Sequence, residues 1–188
     1  MFFDRKPANT PPPPDLANLR ITDARVGDLL SITGAGPDFG DLDFKIDRSD
    51  QMEAGSRAWV QLSGTWRGHR VYLEVHNEDE VEVFGSYDGR QLTLDAVGLS
   101  EEDLADLDAR QNQSDFVDYD GKFWLYRFSR EIGIFTAGRA TGSGFYCWQF
   151  QEQDAKRFLS IRKYENEPFA VSFWTKTEPA DITVYRGT

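Results

Sequence analysis

Cysteine occurs once in the 188 residues, at Cys147, and methionine and histidine only twice each. Each scarcity closes off a class of structure. A lone cysteine cannot form an intrachain disulfide, so stability must come from a packed core, and Cys147 is expected to be a small buried hydrophobe. The two histidines, His69 and His76, lie seven apart on one strand-like stretch, which puts them on opposite faces and prevents them from sharing a metal from that strand. No apolar run approaches the roughly 18 residues that a membrane-spanning helix needs. A basic excess is missing as well: 32 acidic residues against 21 basic give a net charge of −11, which disfavours nucleic-acid phosphates and anionic lipid. Phe2-Phe3 is followed at once by Asp4, Arg5, Lys6 and Pro7, without the apolar stretch of a secretory signal. The expectation is a soluble, cytoplasmic protein with no transmembrane segment and no nucleic-acid partner.

What the chain does have is short β-like segments and tight-turn chemistry. Tyr87-Asp88-Gly89-Arg90 and Tyr119-Asp120-Gly121-Lys122 repeat one phrase, and Asp-Gly between strand formers is a strong hairpin signal because glycine accepts positive φ. Leu42, Phe44 and Ile46 alternate with Asp43 and Lys45. Val71, Leu73 and Val75 likewise alternate with Arg70, Tyr72, Glu74 and His76, which predicts strands with one wet face. With Val81 and Val83, residues 69–94 are expected to form a meander. Phe123–Tyr126, Phe145–Trp148 and Phe169–Trp174 are apolar on both faces and should lie centrally, and Ile182–Tyr185 should be the last strand. One helix is predicted near residues 100–110. Ser100 is its N-cap, Asp103 stands at the third position, Leu99 and Leu104 form a staple, and Asp106 and Asp108 face water. It is expected to lie between two β-rich halves. The fold class is therefore mainly β, with antiparallel strands in a sandwich or partly closed barrel. Residues 1–18, with Pro11 to Pro14, form a disordered proline-rich tail, and residues 19–188 form one domain.

Charge is segregated along the chain. Glu74 to Asp120 holds 15 acidic and 2 basic residues, whereas Lys122 to Lys163 holds 8 basic and 3 acidic. Either strands of the two blocks lie side by side and neutralise each other, or Arg127, Arg130 and Arg139 belong to a basic surface that takes a carboxylate, a phosphate or an acidic partner segment. No pattern fixes a catalytic, cofactor or metal site. Glu74 and His76 share a face and could pair as acid and base or as metal ligands, but a solvated cross-strand polar row explains them more simply. Asp115, Asp118 and Asp120 lack the alternation of a calcium loop. The glycine-rich stretches Thr33–Gly40 and Gly138–Gly144 open no helix and suit loops better than phosphate cradles.

Taken in order, Val26-Gly27-Asp28, Trp59-Val60-Gln61-Leu62, Val71-Tyr72-Leu73-Glu74, Phe116 to Lys122, and Phe158-Leu159-Ser160-Ile161-Arg162 with Ile182 resemble the bacterial domain-of-unknown-function family 4178 over about residues 19–186. Two positions depart from that pattern: Gln61 where an acidic residue is expected, and Arg162 where glutamate is expected. The resemblance implies a cytoplasmic β-rich domain associated with membrane-stress systems, and it assigns no functional residues. The first functional expectation is thus a non-enzymatic protein-binding accessory factor in a stress or membrane-associated system. The alternative is a domain that binds a small anionic ligand in an aromatic-lined pocket, with Arg127 or Arg139 as anchor. A hydrolase with paired carboxylates is a third. No cofactor is expected.

Overall fold

One extra residue in a long strand decides the architecture. The computed structural model describes residues 18–36, 40–136, 141–153 and 156–187. Among these residues the chain forms eleven strands: β1 (Leu29–Ile32), β2 (Leu42–Ala54), β3 (Arg57–Trp66), β4 (His69–Asn77), β5 (Val81–Ser86), β6 (Phe116–Tyr119), β7 (Lys122–Thr136), β8 (Ser143–Glu152), β9 (Arg157–Tyr164), β10 (Phe169–Thr177) and β11 (Ile182–Tyr185). A single α-helix, α1 (Glu101–Arg110), joins β5 to β6. The proline-rich segment, Arg139 and parts of both glycine-rich stretches lie outside the described residues.

Strand β2 pairs with β3, and the order continues through β4, β5, β10, β9, β8 and β7. Asp50 to Glu53 of β2 then meet Thr136 to Gly133 of β7, which closes an eight-stranded antiparallel barrel. Closure removes the exposed edges that an open sheet of this size would present. The bulge falls between Ile46 and Arg48, where the β2–β3 register shifts. Because side chains alternate with period two, one unpaired residue moves everything beyond it to the other face. Leu42, Phe44 and Ile46 therefore face a flanking core, while Asp50, Met52 and Ala54 face the barrel interior. Gly64 allows this bend: a Cβ there would stand 2.2 Å from the Lys45 carbonyl oxygen.

The apolar cores lie mainly outside the barrel wall. On one flank β1 and β11 extend the first half of β2 into a small sheet, whose Leu30, Ile32, Phe44, Ile182 and Val184 cover Leu62, Val71, Leu73 and Val83. On the other, α1 and β6 cover the outer faces of β7 to β10, burying Trp124, Tyr126, Trp148, Phe150, Leu159, Ile161 and Val171 with Leu104 and Leu107. Each such side chain contributes about 1.5–3 kcal/mol when fully buried. The two flanks therefore hold the wall, and the lumen is free to carry polar groups.

Several local expectations agree with this. Ser100 caps α1 by accepting from the Asp103 amide at 3.2 Å, and its own amide donates to Asp103 Oδ2 at 2.8 Å. Tyr119-Asp120-Gly121-Lys122 closes the β6–β7 hairpin, with φ of 55° and 67° at the two central residues. Strand β11 stands where Ile182–Tyr185 predicts it. Residues 145–148 and 169–174 are covered outside and face the lumen inside, whereas the segment 123–126 is buried on one face only: Trp124 and Tyr126 lie in the outer core, but Phe123 is exposed against Phe116.

Other expectations are corrected. The fold is a closed barrel with flanking elements, more specific than a sandwich or partly closed barrel. Tyr87-Asp88-Gly89-Arg90 makes no hairpin, because the free edge of β5 is taken by β10, with Thr175 opposite Gly85. Leu92 instead forms an isolated bridge with Val171, so the meander ends at Ser86. Helix α1 lies against one outer wall and not between two halves. Asp108 is half-buried and does not simply face water: its Oδ1 accepts from the Tyr146 hydroxyl at 2.7 Å and from Ser129 and Gln111. Finally, of the acidic block only β6 lies beside a basic strand, β7, and there Asp118 stands opposite Phe123; β4 and β5 are separated from β7 to β9 by β10 on one side and by β2 and β3 on the other, so most of the two charge blocks do not pair side by side.

Candidate functional site

The face of β4 that looks wet in sequence is the inside of the barrel. Val71, Leu73 and Val75 point outward into the flanking core, so Tyr72, Glu74 and His76 point inward. Cross-strand register carries this face around the wall: Trp59 and Gln61 on β3, Phe84 on β5, Trp174 on β10, Phe158, Ser160 and Arg162 on β9, and Cys147, Gln149 and Gln151 on β8. Except for Tyr72 and Gln61, these side chains line a cavity of about 520 Å³ that opens at one end of the barrel. Met52, Ala54, Trp59, Ile132, Phe145 and Cys147 form a small apolar cluster, of which Trp59, Ile132 and Cys147 line the cavity.

One side of the cavity is aromatic. The Trp59 indole stacks on His76 at 4.9 Å and 13°. Phe84 meets the same imidazole edge-on at 5.4 Å and meets Phe158 at 5.3 Å, which gives a continuous row of four rings. Such rings present flat apolar surface with a defined electrostatic face.

The opposite side is cationic, and a second bulge makes it so. Arg127 and Arg130 are three apart, a spacing that puts two side chains on opposite faces of a regular strand. The β7–β8 register shifts between Tyr126 and Phe128, leaving Arg127 as the extra residue. Trp124 and Tyr126 accordingly stay in the outer core, while Arg127, Phe128 and Arg130 all line the cavity. Arg127 Nε donates to Gln151 Oε1 at 2.9 Å, and the Arg130 guanidinium lies 4.0 Å above the Phe128 ring. Neither makes an ion pair with a carboxylate among the described residues. The structure thus brings together two of the three arginines singled out in the sequence. Acidic residues at the β4–β5 turn face them across the mouth: Glu78 is neutralised by Arg57 at 2.9 Å and Glu82 by Lys176 at 2.6 Å, with Asp79 and Glu80 beside them.

Deeper in, Arg162 reaches across the lumen to Glu74, Nη2 to Oε1, at 2.8 Å, with 12% and 14% of the two side chains exposed. The same carboxylate oxygen accepts from Gln61 Nε2 at 3.1 Å. The two positions that depart from the resembled family's pattern are therefore both partners of Glu74. Burial pushes the Glu74 carboxyl up, but Arg162 and His76 outweigh it and hold the group below its ordinary value. Burial likewise works against the Arg162 charge, and Glu74 more than restores it. The guanidinium is also clamped between the Phe145 and Trp174 rings, at 4.8 and 4.6 Å. Burial pushes the Cys147 thiol up, which keeps it protonated and unreactive. A carboxyl held ionised suits an electrostatic support and not a proton donor. Chemically, the arrangement is a polar, charged floor under an aromatic and cationic chamber.

Sequence reasoning found Glu74, His76, Arg127 and Arg130 but missed the depth of Arg162 and the lumen positions of Phe84, Phe158 and Trp174. Parity with Glu74 carried a usable signal for Phe84, through the short β4–β5 turn. Arg162 carried none, since its partner is 88 residues away. No helix among the described residues is long and apolar enough to cross a membrane. Comparison of the chain with family models, curated proteins and solved structures gives no match in any of the three.

Proposed function

We propose that the barrel lumen binds a small amphiphilic anion: an apolar, preferably planar body lies along the row from Trp59 to Phe158, and its acid group meets Arg130 and Arg127. The observation that carries this reading is the cavity of about 520 Å³ in which Arg130 stacks on Phe128 without a carboxylate partner among the described residues. That volume falls within the roughly 300–1,000 Å³ of ordinary ligand pockets, and mostly apolar walls with a few converging polar groups are their usual make-up. Guanidinium groups match planar acids with two parallel hydrogen bonds. The capture of a protein partner drew on segregated charge, and the barrel turns Arg127 and Arg130 of that charge inward, which favours a ligand over a docking surface.

Calorimetric titration with naphthoate, a planar aromatic carboxylate, tests the reading. Saturable binding, weakened about tenfold or more in Arg130→Gln, is expected from the loss of charge-assisted hydrogen bonds. Equal affinity for the neutral naphthamide, or no saturable heat with either compound, would remove it.

A further inference from the structure

The lumen does not end at Arg162. Past the clamp formed by Arg162 and Trp174 lies a smaller cavity of about 250 Å³ at the other end of the barrel, and both of those residues line it as well. The two chambers differ in charge. Carboxylates face the larger one. The smaller is lined by three guanidiniums, from Arg70, Arg90 and Arg162, and by the hydroxyl-bearing Tyr72, Tyr164 and Ser172, and no aspartate or glutamate is among its lining residues. The counter-charges sit outside it: Asp47 holds Arg70 at 2.7 Å from a half-exposed position, and Glu74 holds Arg162 from the side of the larger chamber.

We infer that this smaller chamber is a second binding site, for a compact oxyanion of the phosphate or sulfate type. Its three cations are placed by the fold. Arg70 is fixed at both ends of its fork, by Asp47 at Nη1 and by Ser63 Oγ at Nη2 at 2.6 Å. Arg162 uses Nε on Ser160 and Nη2 on Glu74, and a guanidinium has five N–H donors, so donors remain for the chamber. Arg90 is exposed, but the loop that carries it is anchored. Its amide donates to Asp88 Oδ1 at 2.9 Å, Gly89 takes φ of 65°, and His69 Nε2 bonds the Tyr87 carbonyl at 2.9 Å. A Cβ on Gly89 would come within 2.6 Å of the His69 ring, so the loop lies directly on that residue. The failed hairpin phrase Tyr87-Asp88-Gly89-Arg90 thus has a use: it brings a third arginine to the end of the barrel. The volume is below the usual range for organic ligands yet several times the roughly 30 Å³ of one water, which suits a small ion with a partial hydration shell.

Titration of the isotope-labelled protein with inorganic phosphate at constant ionic strength, followed by nuclear magnetic resonance, tests the site. The indole N–H of Trp174 and the Nε–H of Arg162 should shift saturably with phosphate and not with chloride. Arg90→Gln, which alters an exposed side chain and leaves the amide spectrum otherwise folded, should weaken the response about tenfold, and Arg70→Gln/Arg90→Gln should abolish it. Arg130→Gln should leave it unchanged, because that residue belongs to the other chamber. The inference fails if no saturable shift occurs, if Arg90→Gln binds phosphate as tightly as the natural protein, or if Arg130→Gln abolishes the response. Failure of naphthoate binding with phosphate binding intact would overturn the larger site alone.

Discussion

Arg162 on β9 and Glu74 on β4 meet at 2.8 Å inside the barrel, with β5 and β10 between them along the wall. The pair ties together arcs of the sheet that share no backbone hydrogen bond. It also separates the two chambers.

Removing one partner of this pair should be costly. Glu74→Gln leaves the Arg162 charge buried between two rings, and the expected loss is about 3–5 kcal/mol, the usual cost of orphaning one member of a buried ion pair. Glu74→Gln combined with Arg162→Met removes both charges and should lose less than Glu74→Gln alone. Urea unfolding of the natural protein, both single variants and the pair measures this directly. The pH dependence follows from the same bond. The Glu74 carboxyl titrates lower in the folded state than in the unfolded chain, so its contribution is complete above the unfolded value and is lost as pH falls through the folded one. Stability should therefore fall with acid more steeply in the natural protein than in Glu74→Gln.

A second bond set fixes the ends of the described chain to each other. Asp28 is 1% exposed and accepts from the amides of Arg25 and Gly187, both at 3.0 Å, and from Arg186 Nη1 at 2.7 Å. Burial acts to raise its carboxyl, and these donors together hold it below the ordinary aspartate value. Asp28→Ala should destabilise by about 3–5 kcal/mol. Amide exchange should show β1 and β11 losing protection first, since they pair with each other and join the barrel only through the first half of β2. Uniform loss across all strands would place the clasp within the global unfolding unit instead.

How much of this was legible depended on how local the cause was. The Tyr119-Asp120-Gly121-Lys122 hairpin and the Ser100 cap of α1 are set by residues within a turn of each other, and both are plain in the sequence. The side of the sheet that faces inward is not local. Alternation of Val71, Leu73 and Val75 with Tyr72, Glu74 and His76 looks the same whether the apolar face fills a barrel or supports a flanking sheet. Only closure of β2 on β7 decides, through Asp50 opposite Thr136, 86 residues on. The bulges at Asp47 and Arg127 are single unpaired residues with no compositional signature. Tyr87-Asp88-Gly89-Arg90 shows the converse case, in which turn chemistry is present but β10 already occupies the edge that a hairpin would need.

Gly64→Ala tests the first bulge. The new methyl group would meet the Lys45 carbonyl oxygen and the Phe44 ring at 2.2 and 2.5 Å, and the backbone oxygen cannot move without undoing the bend in β2. Overpacking of this kind costs about 1–3 kcal/mol. A lowered midpoint in chemical unfolding is expected, with Gly55→Ala as a contrast at a turn where a Cβ meets nothing within 4 Å and only the positive φ of 61° is strained.

The second bulge gives a sharper contrast, because the same residue can be trimmed or removed. Arg127→Ala keeps the strand length, so Trp124 and Tyr126 stay in the outer core and Arg130 stays in the lumen. That variant should melt cooperatively and close to the natural protein, as substitutions outside the core usually do within about 0.5 kcal/mol, while binding naphthoate more weakly. Deleting Arg127 removes the unpaired residue and makes Tyr126 and Phe128, which already face opposite sides and pair with the adjacent Phe150 and Gln149, consecutive residues of a regular strand. Trp124 and Tyr126 then stay in the outer core and Phe128, Arg130 and Ile132 stay in the lumen, with only the local kink and twist of the bulge lost. The deletion should therefore still melt cooperatively in circular dichroism while binding naphthoate more weakly. Loss of cooperative melting in the deletion variant, with Arg127→Ala unaffected, would mean that closure of the wall depends on the twist of the bulge and not on the register alone.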